Sequence, residues 1–400
     1  MTTLDPMTLL FGTNAANNPH NAYRQLRDEC PVARAPGFTE GHMIYVSSYE
    51  DAFWALRHPE VFSSSAEAVS IGQDAPLIPL QVDPPDHAKY RRLMDPEFSP
   101  KRMAELESDV RTLTNEIIDP LVAQGGCDFH EDFATPLPST IFLRLMGLPQ
   151  SDLEYFLKWR DNTIRPDVEL GDFEGAALIR AETASAITAY FEGAIAKARA
   201  VPETPELLSR LVYAEMEGRA LTADELLGTC HLMLLGGLDT VTATLDCMIA
   251  YLARHPDRRA DLAADPNLAV VIIEELLRTE TPVMTVMRVI KTDAVLHGTQ
   301  LHEGDHAMIV LGAANTDDAE FPDAENVVLD REANRHLAFG AGPHRCLGSH
   351  LARLELRVAL EEFHRRIPEY HIPDGVELTY SPGIRQTDRL PIVFGPAPTQ

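Results

Sequence analysis

One long apolar helix constrains the fold of this 400-residue chain more than any other feature of the sequence. Thr222 followed three residues later by Glu225 is the capping-box pattern that begins a helix. Apolar residues then continue to His255, where Pro256 ends the helix because proline cannot continue it. The predicted helix has roughly 33 residues and a length of about 50 Å, enough to cross a whole domain.

The rest of the chain reads as mainly α with a minor β component. Helical periodicity dominates from about residue 101 to 251, whereas residues 63–85 are rich in Ser, Ala, Gln and Pro and are predicted to form a loop. No linker, repeat or low-complexity tract marks a boundary, so residues 1–400 are predicted to form a single domain with a small β-rich lobe near the N-terminus. Further predictions are strands at 43–46, 286–295 and 307–311, helices at 49–56, 266–279 and just after Cys346, and irregular structure at 315–339.

Charge and cysteine content exclude several classes of protein. With 61 acidic and 34 basic residues the net charge is −27, and such a chain repels nucleic acid. The N-terminus lacks the basic and apolar regions of a signal peptide, and no uninterrupted apolar stretch reaches the ~18–20 residues of a membrane span, so a cytoplasmic protein is expected. The cysteines never form a CxxC pair, which excludes a disulfide framework and a cysteine-rich zinc site. All but the last are expected to be buried as small hydrophobes; they are Cys30, Cys127, Cys230, Cys247 and Cys346.

A glycine-rich segment at residues 339–348, FGAGPHRCLG, presents one thiol where a helix begins. A dinucleotide fingerprint is rejected because Arg345 occupies the third glycine position and no βαβ unit follows. His344 and Cys346 are poorly placed as a base and nucleophile, since neighbours two apart on a loop rarely meet. The free N–H groups at the helix start favour Cys346 as a thiolate, the form that holds haem iron for O–O cleavage. The alternative is a glycine-rich turn with an ordinary buried cysteine.

The same segment resembles the haem-binding loop of cytochromes P450, with every fixed position of FGxGxHxCxG present. Residues 236–240, GGLDT, are similar to the oxygen-activating segment of that family, and residues 275–278, ELLR, match its ExxR helix. Arg331 stands where the third member of the family's Glu-Arg-Arg triad is expected, and residues 83–87, DPPDH, resemble its bacterial C-helix segment. These motifs occur in the family's order, which makes them specific, although ExxR alone is common on helices.

The resemblance implies a cytochrome P450 fold, one large helical domain with haem b between a long distal helix and a Cys-bearing proximal helix. Cys346 would be the axial ligand of the iron, Thr240 would order a water and hydrogen-bond dioxygen, and Asp239 would help to bring in protons. Close helix packing at the two glycines is the alternative for that segment, but it does not explain the acid and the alcohol.

The resemblance also assigns charged residues to structure and to cofactor binding. Glu275 and Arg278, one helical turn apart, would form a buried structural core with Arg331 and hold the haem loop. Arg and His are good donors to carboxylates, and four of them are expected near the haem propionates, with surface cations as the alternative: His87, Arg91, Arg288 and His344.

The implied function is a monooxygenase that inserts one oxygen atom from O2 into an apolar, small-to-medium organic substrate. No flavin or ferredoxin module is recognised, so electrons are expected from a separate ferredoxin and its reductase. A peroxide-driven haem-thiolate enzyme is one alternative, but it does not need the Asp239–Thr240 pair. A non-catalytic haem sensor or carrier is another, and it would gain nothing from a broken helix beside an acid and an alcohol.

The family's substrate-recognition segments correspond to residues 64–82, 163–186, 232–240, 282–286 and 384–386. Their content is mostly aliphatic, which favours a terpenoid, fatty acid, steroid or aromatic substrate and leaves the choice among them open. The expected pocket residues are Val69, Ile71, Leu77, Ile78, Leu235, Gly236, Val283, Met284 and Ile384.

Basic residues concentrate in two segments expected on the thiolate side of the haem. Arg91 and Arg331 are expected to point inward, whereas the others would form a basic island on an acidic surface and steer an acidic ferredoxin toward the iron. The alternative is that these residues belong to solvated helix faces. The predicted docking residues are Arg92, Lys101, Arg345 and Arg353.

Overall fold

The structure is a computed structural model that describes residues 5–37, 42–68, 71–73, 75–169 and 172–395. Its helices are α1 Pro6–Phe11, α2 His20–Glu29, α3 Tyr49–Arg57, α4 His87–Met94, α5 Pro100–Gln124, α6 Pro136–Met146, α7 Leu153–Ile164, α8 Phe173–Arg199, α9 Leu207–Tyr213, α10 Ala223–Leu238, α11 Thr240–Arg254, α12 Pro256–Ala264, α13 Leu268–Glu280, α14 Leu311–Asn315 and α15 Ser349–Arg366. Its strands are β1 Val32–Pro36, β2 His42–Val46, β3 Phe62–Ser63, β4 Gly126–Asp128, β5 Glu215–Met216, β6 Arg219–Ala220, β7 Val286–Ile290, β8 Ala294–Leu296, β9 Thr299–Leu301, β10 His306–Ile309, β11 Tyr370–His371 and β12 Pro391–Phe394. The mainly α class predicted from the sequence is confirmed.

The chain divides into two compact units, each assembled from separate stretches of sequence. The first unit comprises Met1–Ser63, Met103–Leu137 and Thr240–Gln400, and the second comprises Ser64–Arg102 and Pro138–Asp239. The single-domain organisation stays a prediction.

A five-stranded sheet organises the β part of the first unit. Its strand order is β1-β2-β10-β7-β3, with β2 and β10 parallel and the other pairs antiparallel. β7 and β10 come from the second half of the chain, so the β-rich lobe is not built by the N-terminus alone. Ile44 and Ile309 from the sheet pack with Ala55 from α3, with Leu337 just before the cysteine segment and with Ala341 inside it. The sheet and α3 therefore support that segment directly.

Helices α11, α13 and α15 pack against one another in the first unit, together with a π-helical turn at His130–Ala134. The residues of α11 from Val241 to Ala250 are buried without exception. A helix that is buried on all sides belongs in a core. The stretch Ala223–Arg254 is long and apolar enough to cross a membrane, but 67% of its most apolar window is buried within the protein. That burial fits the core helix of a globular fold.

The second unit is built mainly of helices α7 to α10, and the described residues 75–86 form a loop that contacts α10. The loop contacts α10 closely at Gly228, where the amide of Ile78 donates to the Gly228 carbonyl at 3.3 Å. A Cβ at Gly228 would lie 2.3 Å from the carbonyl oxygen of Pro76. Only glycine allows this approach, so the loop is seated against the helix by a backbone contact.

The capping box occurs where the sequence places it, but the helix that it begins is shorter than predicted. Thr222 Oγ1 accepts from the amide of Glu225 at 3.2 Å, and the Glu225 carboxylate accepts from the amide of Thr222 at 2.7 Å. The predicted long helix is divided into α10 and α11 at Asp239, which has φ −112° and ψ −38°. Gly236 and Gly237, with their poor helix propensity, precede this break.

Two strand predictions are wrong in extent. Residues 286–295 form two strands rather than one, because the chain turns after Ile290 and the Lys291 amide donates to the carbonyl of Val61 at 2.9 Å. Residues 307–311 were expected as one strand, but Leu311 begins α14. A short apolar run is compatible with either structure, and packing decides between them.

Candidate active site

The glycine-rich segment forms a compact loop that ends at Cys346. The amide of Cys346 donates to the carbonyl of Phe339 at 2.8 Å, and the amide of Gly340 donates to the carbonyl of Leu337 at 2.8 Å. Gly340 and Gly342 have φ of 66° and 68°, a region that side chains with a Cβ rarely adopt. The loop closes three residues before α15 begins, so Cys346 lies at the N-terminal end of that helix.

Gly342 also rests directly on helix α3. A Cβ at this position would lie 2.4 Å from the carbonyl oxygen of Leu56 and 3.1 Å from Cα of Arg57. Both atoms belong to backbone and cannot swing away. Gly342 is therefore required twice, once by its dihedral angles and once by this contact, and α3 fixes the position of the loop.

Cys346 differs from the other cysteines in its exposure. It is the exposed one of the five, whereas Cys230 and Cys247 are buried and Cys30 and Cys127 are half-buried. Burial raises the pKa of the Cys127, Cys230 and Cys247 thiols to about 12, which keeps them protonated. Of the five thiols, Cys346 alone combines exposure with a position at a helix N-terminus, where a thiolate is stabilised.

Glu275, Arg278 and Arg331 form one hydrogen-bonded network. Arg278 makes two hydrogen bonds to the Glu275 carboxylate, both of 2.9 Å, and Arg331 Nε donates to Glu275 Oε1 at 2.9 Å. Glu275 also accepts from the amide of Val328 at 2.8 Å and from the side chain of Asn334 at 3.1 Å. Glu275 and Arg278 are almost completely buried, so this network is structural and anchors the segment before the cysteine loop.

A second carboxylate, Glu274, has a role that the sequence did not reveal. Arg353 makes a bidentate pair with it, through bonds of 2.6 and 2.8 Å, and His336 Nε2 lies 3.0 Å from its Oε2. The Arg353 guanidinium also lies 4.4 Å from the ring centre of Phe339, the first residue of the loop. Burial acts to raise the pKa of Glu274, but Arg353 and His336 together hold it at about 2. Glu274 therefore connects His336, before the cysteine segment, with Arg353, after it. In the sequence, its position next to Glu275 is the feature that could have pointed to this role.

Asp239, the acid of the predicted oxygen-activating pair, is held by two arginines. Arg160 lies in α7, and Arg165 directly follows that helix. Asp239 is completely buried, and Arg165 donates to its two carboxylate oxygens at 3.0 and 2.7 Å. Arg160 Nε lies 3.7 Å from Asp239 Oδ1, and Asp161 contacts both arginines. No sequence motif pointed to Arg160 or Arg165. Thr240, the alcohol of the pair, begins α11.

The two adjacent glycines in α10 have different surroundings. A Cβ at Gly237 would lie 3.0 Å from the ring of Phe142, so glycine there permits close helix packing. Gly236 is exposed, and a Cβ there would meet nothing within 4 Å. Packing therefore accounts for Gly237 but not for Gly236, whose exposed backbone lies one turn before Thr240.

The four predicted propionate donors are divided between the two units. His87 and Arg91 lie one turn apart on α4 of the second unit; burial and the nearby Arg91 lower the pKa of His87, and Arg91 Nε donates to Asp95 at 2.7 Å. Arg288 lies in β7 of the first unit, almost fully buried, and donates to the carbonyl of Met287 at 2.7 Å. His344 belongs to the cysteine loop.

The predicted pocket residues are also divided. In the first unit Val283 and Ile384 are half-buried and paired by a β-bridge, whereas Met284 is completely buried and offers no surface to a substrate. In the second unit Leu235 and Ile71 are half-buried and Leu77 and Ile78 are buried. Val69 lies outside the described residues.

The predicted docking residues do not share one environment. Arg92, Lys101 and Arg345 are exposed. Arg353 is 30% exposed and committed to Glu274, so it contributes little to a mobile, solvated surface.

The chain matches the family model "Cytochrome P450" over residues 181–367. It is 34% identical to a steroid C26-monooxygenase of Mycolicibacterium smegmatis over 387 residues, 96% of this chain and 94% of that one. It is 30% identical to a vitamin D(3) 25-hydroxylase of Pseudonocardia autotrophica, covering 97% of this chain and 96% of that one. Among solved structures, CYP109E1 of Bacillus megaterium in complex with testosterone is 29% identical with a TM-score of 0.88, over 95% of this chain and 98% of that one.

The fold, the cysteine loop and these similarities define a haem-thiolate oxygenase. The chain belongs to the cytochrome P450 family and is a monooxygenase, whose cofactor is haem b with a cysteine thiolate on the iron.

The donors in the structure fit that cofactor. Among the residues that the structure describes, no three His, Cys, Asp or Glu side chains form a cluster that could hold a bare metal ion. One thiol at a helix N-terminus suits an iron whose other ligands come from a macrocycle, and within the first unit Arg288 and His344 are side chains of the type that binds carboxylates.

Proposed function

We propose that Cys346 is the thiolate ligand of the haem, and that the enzyme oxidises the end of an alkyl side chain on a steroid-like substrate. Electrons come from a separate ferredoxin with its reductase. The observation that carries the ligand assignment is the exposed position of Cys346 at the N-terminal end of α15, in a loop fixed by Gly342.

When bound, the haem supplies the redox chemistry that activates O2. The chain's own residues control protons beside it. Asp239 is completely buried, whereas the Arg165 side chain is 26% exposed, so Arg165 links the buried carboxylate to solvent. Asp239 offers an acceptor next to Thr240 in the sequence, and the Thr240 hydroxyl can pass one proton on. A peroxide-driven enzyme has no use for this arrangement.

The proposed substrate class rests on the wall formed by Val283 and Ile384 and on the names of two relatives. Val283 and Ile384, held side by side by their bridge, present branched aliphatic surface, which favours apolar substrates through burial alone. The names of the relatives place oxidation at C26 of a steroid and C25 of vitamin D(3). These are neighbouring carbons at the end of the same kind of side chain.

A titration with three probes tests the substrate class. Cholesterol carries rings and side chain, testosterone carries the rings without the side chain, and palmitic acid carries a chain without rings. We expect cholesterol to shift the haem to high spin with a Kd at least about tenfold below those of the other two, and to yield a product oxidised at the side-chain end. Tighter binding of palmitic acid, or oxidation of a ring carbon, would overturn the proposal.

The ferredoxin partner is supported by the exposed basic residues Arg92, Lys101 and Arg345 on a chain with a net charge of −27. An acidic partner would be repelled by most of such a surface and attracted where basic residues are exposed, at Arg92 and Lys101 in the second unit and at Arg345 in the first, which makes its encounter orientation-selective.

A further inference from the structure

The turn that carries Ile384 is tied to the chain around it by main-chain bonds. The Arg385 amide donates to the carbonyl of Pro282 at 2.7 Å, and the Met284 amide donates to the carbonyl of Gly383 at 2.9 Å. These bonds flank the bridge between Val283 and Ile384. Because successive side chains of an extended segment point to opposite sides, Arg385 faces away from the wall that Ile384 forms.

The Arg385 side chain ends in a buried network on that opposite side. Its guanidinium forms an ion pair with Glu280 and donates to the carbonyl of Ala16 at 2.7 Å and to Cys247 Sγ at 3.4 Å. Cys247 Sγ in turn donates to the Arg385 carbonyl at 3.2 Å. The guanidinium also lies 4.2 Å from the ring centre of Tyr380, at the start of the same turn. Arg385 is only 6% exposed.

The partners of Arg385 come from elements that bear other parts of the site. Glu280 ends α13, the helix of Glu275 and Arg278, and Cys247 lies in α11, which begins at Thr240. Seven residues separate Cys247 from Thr240, about 10 Å along the helix. One side chain therefore links the substrate-facing turn to the helix of the oxygen-activating threonine and to the helix of the structural triad.

We propose that Arg385 is a positioning residue: it fixes the wall formed by Val283 and Ile384 relative to α11 and so determines which carbon of the substrate is oxidised. The proposal rests on the proposed function, in which Val283 and Ile384 face the substrate. Arginine suits this task because its planar fork reaches a carboxylate, a carbonyl and a sulfur from two nitrogens held in fixed directions, whereas a lysine carries all of its donors on one nitrogen. A polar cavity of about 270 Å³, lined by Arg385, Glu280, Cys247 and Tyr380 among others, lies on the same side, so nothing bulky replaces the network if it is broken.

Arg385→Lys and Arg385→Met test this role, with cholesterol and vitamin D3 as probes. In Arg385→Met we expect normal haem content and a normal reduced carbon monoxide spectrum. Its Kd for the probes should rise about tenfold, and its products should spread over neighbouring carbons. Arg385→Lys keeps the charge and should lie between it and the wild type. Cys247→Ala removes one tie without leaving a buried charge, so it should broaden the products even if Arg385→Met does not retain haem.

Arg259 provides the matched control. It is also a buried arginine of the first unit that donates to a carbonyl, that of Leu252 at 3.1 Å, and lies 4.8 Å from the ring centre of Tyr370, but it does not touch the turn. Arg259→Lys should leave the product ratios unchanged.

Ile384→Ala distinguishes an error in the proposed substrate wall from an error in the proposed role of Arg385. If it changes neither Kd nor products, the assignment of the wall is wrong and the proposed function loses its support there. If Ile384→Ala changes the products while Arg385→Lys and Cys247→Ala keep the wild-type ratios, the wall is right and the positioning role of Arg385 is overturned.

Discussion

Arg165 holds both carboxylate oxygens of Asp239, with its two terminal nitrogens 3.0 and 2.7 Å from them. Asp239, which precedes the proposed oxygen-activating residue Thr240, is thus oriented by a residue that follows α7, not by its own helix. A bidentate pair of this kind fixes direction as well as charge.

The first prediction concerns this pair. Asp239→Asn keeps the shape of the side chain but cannot accept a proton, so we expect turnover to fall at least about tenfold with substrate binding unchanged. Arg165→Lys should have a smaller effect, because a point charge cannot bind both oxygens. The measurement is product formation in H2O and D2O, and the solvent isotope effect should grow in Asp239→Asn. Arg180→Lys is the control, since Arg180 donates to the carbonyl of Thr163 at 2.9 Å and, among the described residues, is not paired with a carboxylate. Equal turnover in wild type and Asp239→Asn would remove Asp239 from proton delivery.

Thr240→Ala should uncouple electron consumption from product formation. The variant should bind haem and substrate as the wild type does, but it should divert reducing equivalents into hydrogen peroxide or water, whereas Thr240→Ser should keep coupling. The measurement compares NADPH consumed, peroxide released and product formed. Thr229→Ala is the control, because Thr229 in α10 is buried and donates to the Glu225 carbonyl at 2.8 Å, within its own helix. A fully coupled Thr240→Ala would exclude the hydroxyl from the mechanism.

Cys346→Ala should abolish the red-shifted Soret band of the reduced, carbon monoxide-treated protein. We propose Cys346 as the thiolate donor because it is exposed, whereas burial raises the pKa of the Cys230 and Cys247 thiols to about 12. Alanine at each of the other four cysteines should leave the band in place. A wild-type spectrum in Cys346→Ala would refute the ligand assignment.

Charge reversal tests the docking surface. Arg92→Glu, Lys101→Glu and Arg345→Glu should each slow association with a ferredoxin, and the wild-type rate should fall as salt screens the attraction. Arg353→Glu is unsuitable because it would place a carboxylate against Glu274. Lys197→Glu, at an exposed position near the end of α8, is the control and should not change the rate. If the three reversals transfer electrons at the wild-type rate, the partner docks elsewhere.

Glu225 should make stability depend on pH. Arg219 and the amide of Thr222 lower its pKa to about 2, below the ordinary value of 4.5. The folded state therefore gains stability from the ionised carboxylate above pH 4.5 and loses it as pH falls from there toward 2. Glu225→Gln should lower the free energy of unfolding by about 1–2 kcal/mol at pH 7, a figure reduced because Arg219 is half exposed. The gap between the urea midpoints should shrink steadily as pH falls from 4.5 toward 2, and a constant gap between pH 7 and 3 would contradict the assignment.

Local patterns predicted the parts of the site that depend on local structure. The capping box at Thr222 and the glycine loop before Cys346 are short-range arrangements, so spacing and residue type sufficed. The pairing of Arg165 with Asp239 joins residues far apart in the sequence, and nothing near Arg165 marks it. In the sequence, Arg353 has the features of a solvent-exposed helix residue. Its bidentate pair with Glu274 depends on a carboxylate from another helix, which the local sequence does not show. Leu311 shows the same limit for secondary structure, because an apolar run does not distinguish a strand from a short helix.

The close contact between Gly342 and the Leu56 carbonyl bears on the order in which the protein folds and binds haem. The ligand loop, close to the end of the chain, takes its shape only against α3, close to the beginning, and such distant contacts form late in folding. We therefore expect haem to be captured after the first unit has closed rather than to nucleate it. Retention of haem then reports that the cysteine loop has packed against α3, so bound haem serves as a marker of complete folding.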